Sequence, residues 1–226
     1  MPVFQKRIFL GFCMVVAAVL FLVIGLSYKQ PWLLAFDEQM QSYLYNFLGS
    51  SGEAIFVVIT YMGSAYVSYP MLVILACVLL VQKRYWLTLL FVLNLLGVRL
   101  CNWLLKAVFE RPRPEITHLV QVSSDSFPSG HAMNSIAFFG FLAFLLFRAM
   151  KSMSKPSGWV WMSAVGLIGL IGFSRVYLGV HYLSDVLGGL LAGGAWLFFS
   201  IFLYTYLPEH DRFIKPVRKA AHDSQY

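Results

Sequence analysis

The chain has 226 residues, of which 59% are hydrophobic and 12% charged, with a mean hydropathy of +0.72. This composition excludes a water-soluble globule and a disordered chain, because 20 Phe, 12 Tyr and 6 Trp supply far more apolar surface than either carries. The net charge of +7 does not indicate nucleic-acid binding, since the 17 Lys and Arg residues separate apolar runs instead of forming one basic face. We therefore expect a polytopic membrane protein with no nucleic-acid partner.

Six apolar runs have the length of roughly 17 to 25 residues that a helix needs to cross a bilayer core. In chain order they cover 8–27, 64–81, 86–107, 130–147, 158–177 and 183–207. No long linker or internal repeat interrupts them, so we predict an all-α, six-span integral membrane protein with a single domain over 1–226. Cys13, Cys77 and Cys101 fall inside these runs and indicate neither a disulfide framework nor a zinc site.

The segment around the first span carries two further signals. Lys6 and Arg7 precede a run that is too long for a signal peptide and lacks a small-residue cleavage pattern, so we interpret it as an uncleaved span. Between the first two spans, apolar residues recur at helical spacing with polar ones between them: Phe36, Met40, Leu44 and Phe47. This pattern favours a helix in the membrane interface over an ordinary packed loop helix.

Basic residues cluster at alternate ends of the six spans. One set of ends carries Lys6, Arg7, Lys83, Arg84, Arg148, Lys151, Lys155, Arg212, Lys215, Arg218 and Lys219. The connections at the opposite ends contain only Lys29, Arg111, Arg113 and Arg175. By the positive-inside rule we expect a multi-pass plasma-membrane protein with both termini in the cytoplasm and the loops around 109–129 and 174–181 outside.

Polar residues concentrate at the expected outer ends of four spans. They are Lys106, Arg111, Arg113, Ser129, His131, Ser174, Arg175, His181 and Asp185, with Pro128 and Gly130 beside Ser129. Charges at or inside a membrane are costly, so this concentration requires either packed partners or a functional site.

His181 and Asp185 lie four residues apart and share one helical face. The carboxylate can accept a hydrogen bond from the imidazole and fix its tautomer, which leaves the other ring nitrogen as a nucleophile for phosphorus. His131 is then available as the acid. Asp185 would stabilise the cation that forms when the His181 ring is phosphorylated.

Other members of the set suit the recognition of phosphate. Lys106, Arg113 and Arg175 match the charge spread over the oxygens of a transferring phosphoryl group. Ser129 and Gly130 add hydroxyl and backbone donors at a helix start, where anions bind readily. The sequence has no carboxylate cluster of the kind Mg²⁺ requires, so we expect no metal and no other cofactor.

Three segments resemble a known signature in order and spacing: Lys106-x6-Arg113-Pro114, Pro128-Ser129-Gly130-His131 and Ser174-Arg175-x5-His181-x3-Asp185. They match the type 2 phosphatidic acid phosphatase superfamily without a departure, and with the six-span layout the resemblance covers nearly the whole chain. In size the chain resembles the bacterial phosphatidylglycerophosphatase B-like lipid phosphatases of this superfamily.

The resemblance implies a metal-independent membrane phosphatase in which His181 attacks phosphorus, Asp185 supports it and His131 protonates the leaving oxygen. It implies a phosphate pocket formed by Lys106, Arg113, Ser129, Gly130 and Arg175, with Pro128 and Ser174 in supporting positions. The implied substrates are lipid phosphates: phosphatidylglycerophosphate, undecaprenyl pyrophosphate or phosphatidic acid. Their chains would stay among the membrane lipids, and no obligate protein partner is inferred.

Two alternatives stay open. A lipid phosphotransferase would use the same phosphohistidine and pass the group to an alcohol. An anion transporter is less favoured, because apart from Asn94, Arg99, Asn102 and small hydroxyls the inner halves of the spans are apolar.

The remaining polar residues receive more modest roles. Arg99 lies two turns before Lys106 on one face of the third span, with Asn102 on the same face, and we expect both to line the pocket or serve a structural role. Only Arg113 of the two Arg-Pro pairs fits the signature, so we expect Arg111 to face solvent or contact a lipid head group. His118 is expected to be an exposed loop residue. Glycines on the sixth span indicate close helix packing: Gly188, Gly189, Gly193 and Gly194.

Overall fold

The computed structural model describes residues 3–115, 120, 124–208 and 212, and none of these residues belongs to a β-strand. The helices, in chain order, are α1 Val3–Ser27, α2 Pro31–Leu48, α3 Glu53–Met62, α4 Ala65–Val81, α5 Tyr85–Phe109, α6 Gly130–Ser152, α7 Gly158–Tyr177 and α8 Leu183–Tyr204. A short 3₁₀ turn, Gly49–Gly52, joins α2 to α3.

Six helical stretches in the described part of the chain are long and apolar enough to cross a membrane. The second of them, Pro31–Val81, runs from the start of α2 to the end of α4, and the others are α1, α5, α6, α7 and α8. The predicted all-helical fold with six spans is therefore confirmed.

The core of the bundle is built around α6, which packs against α5, α7 and α8, while α1 lies along α8. Large apolar side chains from α5, α6 and α7 fill the centre, among them Phe91, Leu95, Phe138, Phe141 and Ile171. Other large apolar side chains point outward and are exposed, including Phe12, Leu22, Leu100 and Met162. A protein in water rarely exposes so much apolar surface, and this distribution is typical of helices that face lipid.

Helices α6 and α8 approach each other very closely. A Cβ atom on Gly189 would lie 2.5 Å from the carbonyl oxygen of Ser129, and one on Gly193 would collide with the carbonyl of Met133. A Cβ atom on Gly188 would lie 2.5 Å from the ring of Phe127. These glycines pack closely, as the sequence indicates, and the contact holds the start of α6 against the start of α8.

Four helix ends meet at one end of the bundle. The chain leaves α5 through Glu110, whose φ of 46° ends the helix, and it re-enters the bundle at Gly130. The connection between α7 and α8 contains only residues 178–182. The C-terminal ends of α5 and α7 therefore lie beside the N-terminal ends of α6 and α8.

Helix α2 turns its polar side toward the bundle. Leu33, Asp37 and Gln41 are buried at intervals of four residues, whereas Phe36 and Phe47 are 43% and 74% exposed. A helix does follow the first span, as predicted, and its position in the membrane interface stays a prediction. Its polar residues contact protein, and this contact supplies one part of the site described next.

Candidate active site

The structure brings the predicted catalytic and phosphate-binding side chains together around the ring of His181. The positive charges of Arg175, Arg113 and Lys106 act on this ring. The rings of His131 and His181 also interact electrostatically. The site therefore gathers two histidines and three cationic side chains from α5, α6, α7 and the loops at one end of the bundle.

The two nitrogens of His181 face different surroundings. Nδ1 lies 3.4 Å from Oδ2 of Asp185 and 3.3 Å from Oγ of Ser126, while Nε2 lies 3.4 Å from Nη1 of Arg113. The side chain is 1% exposed. A carboxylate beside Nδ1 favours the tautomer that carries its proton there, so the lone pair is on Nε2, toward the cations.

The His181 ring is neutral under ordinary conditions. Burial lowers its pKa well below the usual value for histidine, and the positive charges of Arg175, Arg113 and Lys106 lower the pKa further. A neutral imidazole with an available nitrogen is the form that can act as a nucleophile.

The carboxylate of Asp185 is buried and fully hydrogen-bonded. Oδ2 accepts hydrogen bonds from the hydroxyl of Ser126 and from the backbone N–H of Tyr182, the latter at 2.9 Å. Oδ1 accepts one from Nη1 of Arg111 at 2.7 Å. Asp185 is the third residue of α8, so its bond to the N-cap residue Tyr182 also fixes the helix start.

Arg111 is 2% exposed and binds two buried carboxylates, so the expectation that it faces solvent or a lipid head group is wrong. Its guanidinium donates to Asp185 and, at 2.9 Å through Nη2, to Oδ2 of Asp37 on α2. The ring of Tyr182 lies 4.3 Å from the guanidinium carbon. Two buried carboxylates repel each other and are costly without a counterion. A cation between them offsets this cost, which is the physical reason for the buried position of Arg111.

Asp37 is a functional-site residue that sequence reasoning missed. It is 0% exposed, and besides Arg111 it accepts hydrogen bonds from the backbone N–H of Ser184 at 2.9 Å and from the hydroxyl of Ser184. The available signals were two adjacent carboxylates, Asp37 and Glu38, beside an apolar helical stripe, and the duplicated Arg-Pro pair. Neither signal identifies the partner, because Asp37 and Arg111 lie 74 residues apart.

The three cationic side chains among the phosphate-binding candidates have neutral hydrogen-bond partners. Lys106 donates to Oγ of Ser124 at 3.0 Å, Arg113 donates to the carbonyl of Ser124 at 2.6 Å, and Arg175 donates to Oγ1 of Thr60 at 2.8 Å. Within the described residues, none of the three forms an ion pair with a carboxylate. Burial lowers the pKa of the Arg113 guanidinium, yet arginine stays charged in proteins. The pocket is therefore strongly electropositive.

The start of α6 faces the same pocket. The peptide bond between Phe127 and Pro128 is cis, and the N–H of Ser129 donates to the carbonyl of Asp185 at 2.9 Å. The buried Oγ of Ser129 has no hydrogen-bond partner among the described residues. The N–H groups of the following turn have no partner within the helix and suit an anion. A Cβ atom on Gly130 would lie 2.8 Å from Oδ1 of Asn102, so a larger residue here would displace the Asn102 side chain.

Two predicted supporting residues have structural contacts. Ser174 is buried and donates to the carbonyl of Ile171 at 2.6 Å, within its own helix. The carbonyl of Pro128 accepts a hydrogen bond from Nδ2 of Asn102 at 3.1 Å. Ser174 thus does not direct its hydroxyl to the pocket, whereas Asn102 fixes the loop that precedes α6.

Within the described residues, no group of three or more His, Cys, Asp or Glu side chains is arranged to hold a metal ion. The absence of a metal requirement stays a prediction. His118, His210, His222, Lys215, Arg218 and Lys219 lie outside the described residues.

The site is an electropositive pocket with a buried, carboxylate-supported histidine at one end of a six-span bundle, which is an arrangement for phosphate chemistry at a membrane. The family model of the PAP2 superfamily matches residues 85–209, more than half of the chain. The chain belongs to the PAP2 superfamily.

Two relatives and one solved structure agree with this assignment. Phosphatidylglycerophosphatase B of Bacillus subtilis (strain 168) is 39% identical over 143 residues, which cover 63% of this chain and 70% of that protein. Undecaprenyl-diphosphatase BcrC of the same organism is 35% identical over 95 residues, covering 40% of this chain and 44% of the relative. The crystal structure of a transmembrane PAP2 type phosphatidylglycerolphosphate phosphatase from Bacillus subtilis matches with a TM-score of 0.82 and 30% identity, covering 87% of this chain and 98% of that one. The predicted class, a multi-pass membrane lipid phosphatase, is confirmed.

Proposed function

We propose that the protein hydrolyses a lipid phosphomonoester or diphosphate through a phosphohistidine on His181. The observation that carries the proposal is the orientation of the His181 ring, with Nδ1 toward Asp185 and Nε2 toward Arg113. Phosphatidylglycerophosphate, undecaprenyl pyrophosphate and phosphatidic acid are the candidate substrates. The names of the two relatives favour the first two.

In the first step, Nε2 of His181 forms a bond to phosphorus as the bond from phosphorus to the leaving oxygen breaks. His131 donates a proton to that oxygen, and the lipid part leaves as an alcohol or a monophosphate. Asp185 stabilises the cationic phosphoimidazole through the Nδ1 proton. Lys106, Arg113 and Arg175, with the N–H groups at the start of α6, bind the phosphoryl oxygens in the transition state.

In the second step, water attacks phosphorus and the bond to Nε2 breaks. One proton of the water passes to His131, which returns to its starting state, and inorganic phosphate leaves. His181 is again a neutral imidazole.

The test is phosphate release by the purified protein in detergent with excess chelator, from each of the three lipids. We expect release from at least one lipid, together with an acid-labile phosphoenzyme that forms in the wild type and not in His181→Ala. The matched control is His131→Ala with p-nitrophenyl phosphate, whose leaving group needs little protonation, and this variant should still form the adduct. An adduct that persists in His181→Ala would disprove the assignment of the nucleophile. An added alcohol acceptor separates hydrolysis from phosphotransfer, which would give a phosphorylated acceptor.

We propose further that both termini are cytoplasmic and that the site lies on the outer face of the plasma membrane, on the evidence of the basic residues. Glu115 is exposed two residues after Arg113, and Gln82 is exposed between α4 and α5. In a background without the three native cysteines, Glu115→Cys should react with an impermeant thiol reagent in intact cells. Gln82→Cys should react only after lysis, and the reverse pattern would invert the topology.

A further inference from the structure

Arg99 is a charged residue within the spanning part of α5 that the proposed chemistry does not use. Its Nη2 donates to Oγ of Ser68 at 2.8 Å, and its guanidinium carbon lies 4.5 Å from the ring centre of Tyr69. Its Nε is buried and has no hydrogen-bond partner among the described residues. A membrane-embedded arginine with only neutral partners is costly, so its charge requires a function.

The guanidinium of Arg99 lies on the side of the pocket where His131 is found. A Cβ atom on Gly63, just before α4, would lie 3.3 Å from Cδ2 of His131, and Ser68 follows Gly63 by five residues. Because Arg99 donates to Ser68, its guanidinium lies roughly one and a half helical turns from the level of His131. The charge of Arg99 also acts on the His131 ring.

The face of α5 that carries Arg99 is continuous with the phosphate pocket. Arg99, Asn102 and Lys106 occupy positions i, i+3 and i+7, which share one side of a helix. Lys106 reaches the loop at the site end, and Asn102 contacts the carbonyl of Pro128. The polar stripe therefore leads from the reacting phosphate toward the interior of the membrane, past the residue that protonates the leaving oxygen.

We propose that Arg99 binds a second phosphate group, which is carried by the leaving part of the substrate. This inference rests on the proposed function, in which His131 faces the leaving oxygen. In a lipid diphosphate the leaving oxygen belongs to a second phosphate, and in phosphatidylglycerophosphate the leaving glycerol carries a phosphodiester. The leaving parts of phosphatidic acid and of a lipid monophosphate are neutral alcohols, which carry no phosphate. Arg99 thus selects substrates with two phosphates, and its planar guanidinium can bind phosphate through two N–H donors.

The test compares two pairs of substrates that differ in whether the leaving part carries a phosphate. The pairs are undecaprenyl pyrophosphate with undecaprenyl monophosphate, and phosphatidylglycerophosphate with phosphatidic acid of the same acyl chains. In Arg99→Gln we expect kcat/KM to fall about 10- to 100-fold for the member with two phosphates, which is the range for one charge-assisted contact. For the other member the loss should stay below roughly threefold, the size of a minor indirect effect.

Two further variants keep the inference testable if Arg99→Gln folds poorly. Arg99→Lys retains the charge and loses the fork of donors, so it should show the same selectivity loss to a smaller degree. Ser68→Ala removes a hydrogen-bond partner and leaves the charge in place, and it should change all four substrates by a similar small factor. A selectivity loss confined to the undecaprenyl pair would show that Arg99 binds the second phosphate of a lipid diphosphate. A loss confined to the other pair would show that Arg99 binds the phosphodiester of phosphatidylglycerophosphate.

Equal losses for all four substrates in Arg99→Gln and Arg99→Lys would overturn the inference and leave the proposed function intact. Wild-type protein that releases phosphate from none of the four lipids would overturn the proposed function, and the inference with it. The two failures are distinguishable, because the first changes a ratio between substrates and the second abolishes turnover in the wild type.

Discussion

Two charged clusters lie on opposite sides of the His181 ring and treat charge in different ways. On the Nδ1 side, Arg111 is enclosed by the carboxylates of Asp37 and Asp185. On the other side, Arg113 lies beside Nε2. Lys106, Arg113 and Arg175, whose charges act on the ring, donate to hydroxyl and carbonyl oxygens. The first cluster has its counterions within the protein, so it can hold the ring and the start of α8. The positive charges of the second cluster have no counterion among the described residues. A bound anion, such as a substrate phosphate, would neutralise them.

The contrast is sharpest between Arg111 and Arg113, which lie two residues apart in the same Arg-Pro context. Arg111 is buried against carboxylates, while Arg113 is partly exposed beside Nε2 of His181. Residue type and local sequence therefore do not decide the role of an arginine. The role follows from which groups the fold brings to the guanidinium.

The largest expected effect is at Asp185, the residue that touches both the ring and Arg111. Asp185→Asn should lower kcat by about 10⁴-fold, the loss typical of replacing the carboxylate that orients a catalytic histidine. Single-turnover formation of the phosphoenzyme is the measurement. Ser126→Ala, which removes a neighbouring hydroxyl from the same carboxylate, is the matched control and should cost far less. A variant with near-normal kcat would show that the carboxylate does not orient His181.

The two arginines should separate catalysis from stability. Arg113→Gln should lower kcat/KM by roughly 10²- to 10³-fold, the size of one lost transition-state donor, with little change in Tm. Arg111→Gln should lower the free energy of unfolding by about 3–5 kcal/mol, because two buried carboxylates lose their cation. Thermal unfolding in detergent and phosphate release, measured on both variants, check the pair. Equal effects on Tm would remove the distinction between the clusters.

A smaller effect is expected at the outer partner of the buried cluster. Asp37→Asn leaves Arg111 with one carboxylate and should lower stability by about 1–3 kcal/mol. Combined with Arg111→Gln, it should cost less than the sum of the two single changes, because the residues share one network. Additive losses in a double-mutant cycle would contradict a coupled network.

The smallest effect is a shift in the pH dependence. Burial and the neighbouring cations hold the pKa of His181 low, so the nucleophile stays neutral as the pH falls below the usual histidine range. Removing one positive charge raises this pKa, and the acid limb of kcat/KM in Arg113→Gln should therefore move to higher pH. Arg111→Gln, which removes a charge already paired with Asp37 and Asp185, serves as the comparison. A shift in the opposite direction would mean that another group controls the limb.

Sequence patterns predicted most of the fold and the composition of the site. Apolar runs with few charges predicted the six spans, because a bilayer imposes the same length on each helix that crosses it. The spacing of His181 and Asp185 predicted their pairing, and Nδ1 does lie 3.4 Å from Oδ2. The expectation that the two share one helical face is wrong, because His181 precedes Tyr182, the N-cap residue of α8. The structure brings these groups together with Lys106, Arg113 and Arg175, as the motif order suggests.

Other parts of the site depend on contacts that local patterns do not contain. The pairing of Asp37 with Arg111 needs the packing of α2 against the start of α8, and no periodicity specifies which helix covers which. The hydroxyl of Ser126 beside Asp185 lies in a loop whose path is set by tertiary contacts. The hydroxyl of Ser174 bonds within its own helix, although its place in the motif gave no sign of this.

The close approach of α6 and α8 has a consequence for genetics. Gly189 touches no proposed substrate atom, yet a methyl group there would meet the carbonyl of Ser129 at 2.5 Å and displace the turn that carries His131. In a library of random substitutions, we expect Gly189 to tolerate no other residue, as strictly as a catalytic histidine. The positions that tolerate no substitution would therefore include the active-site residues and also the glycines at the contact between α6 and α8.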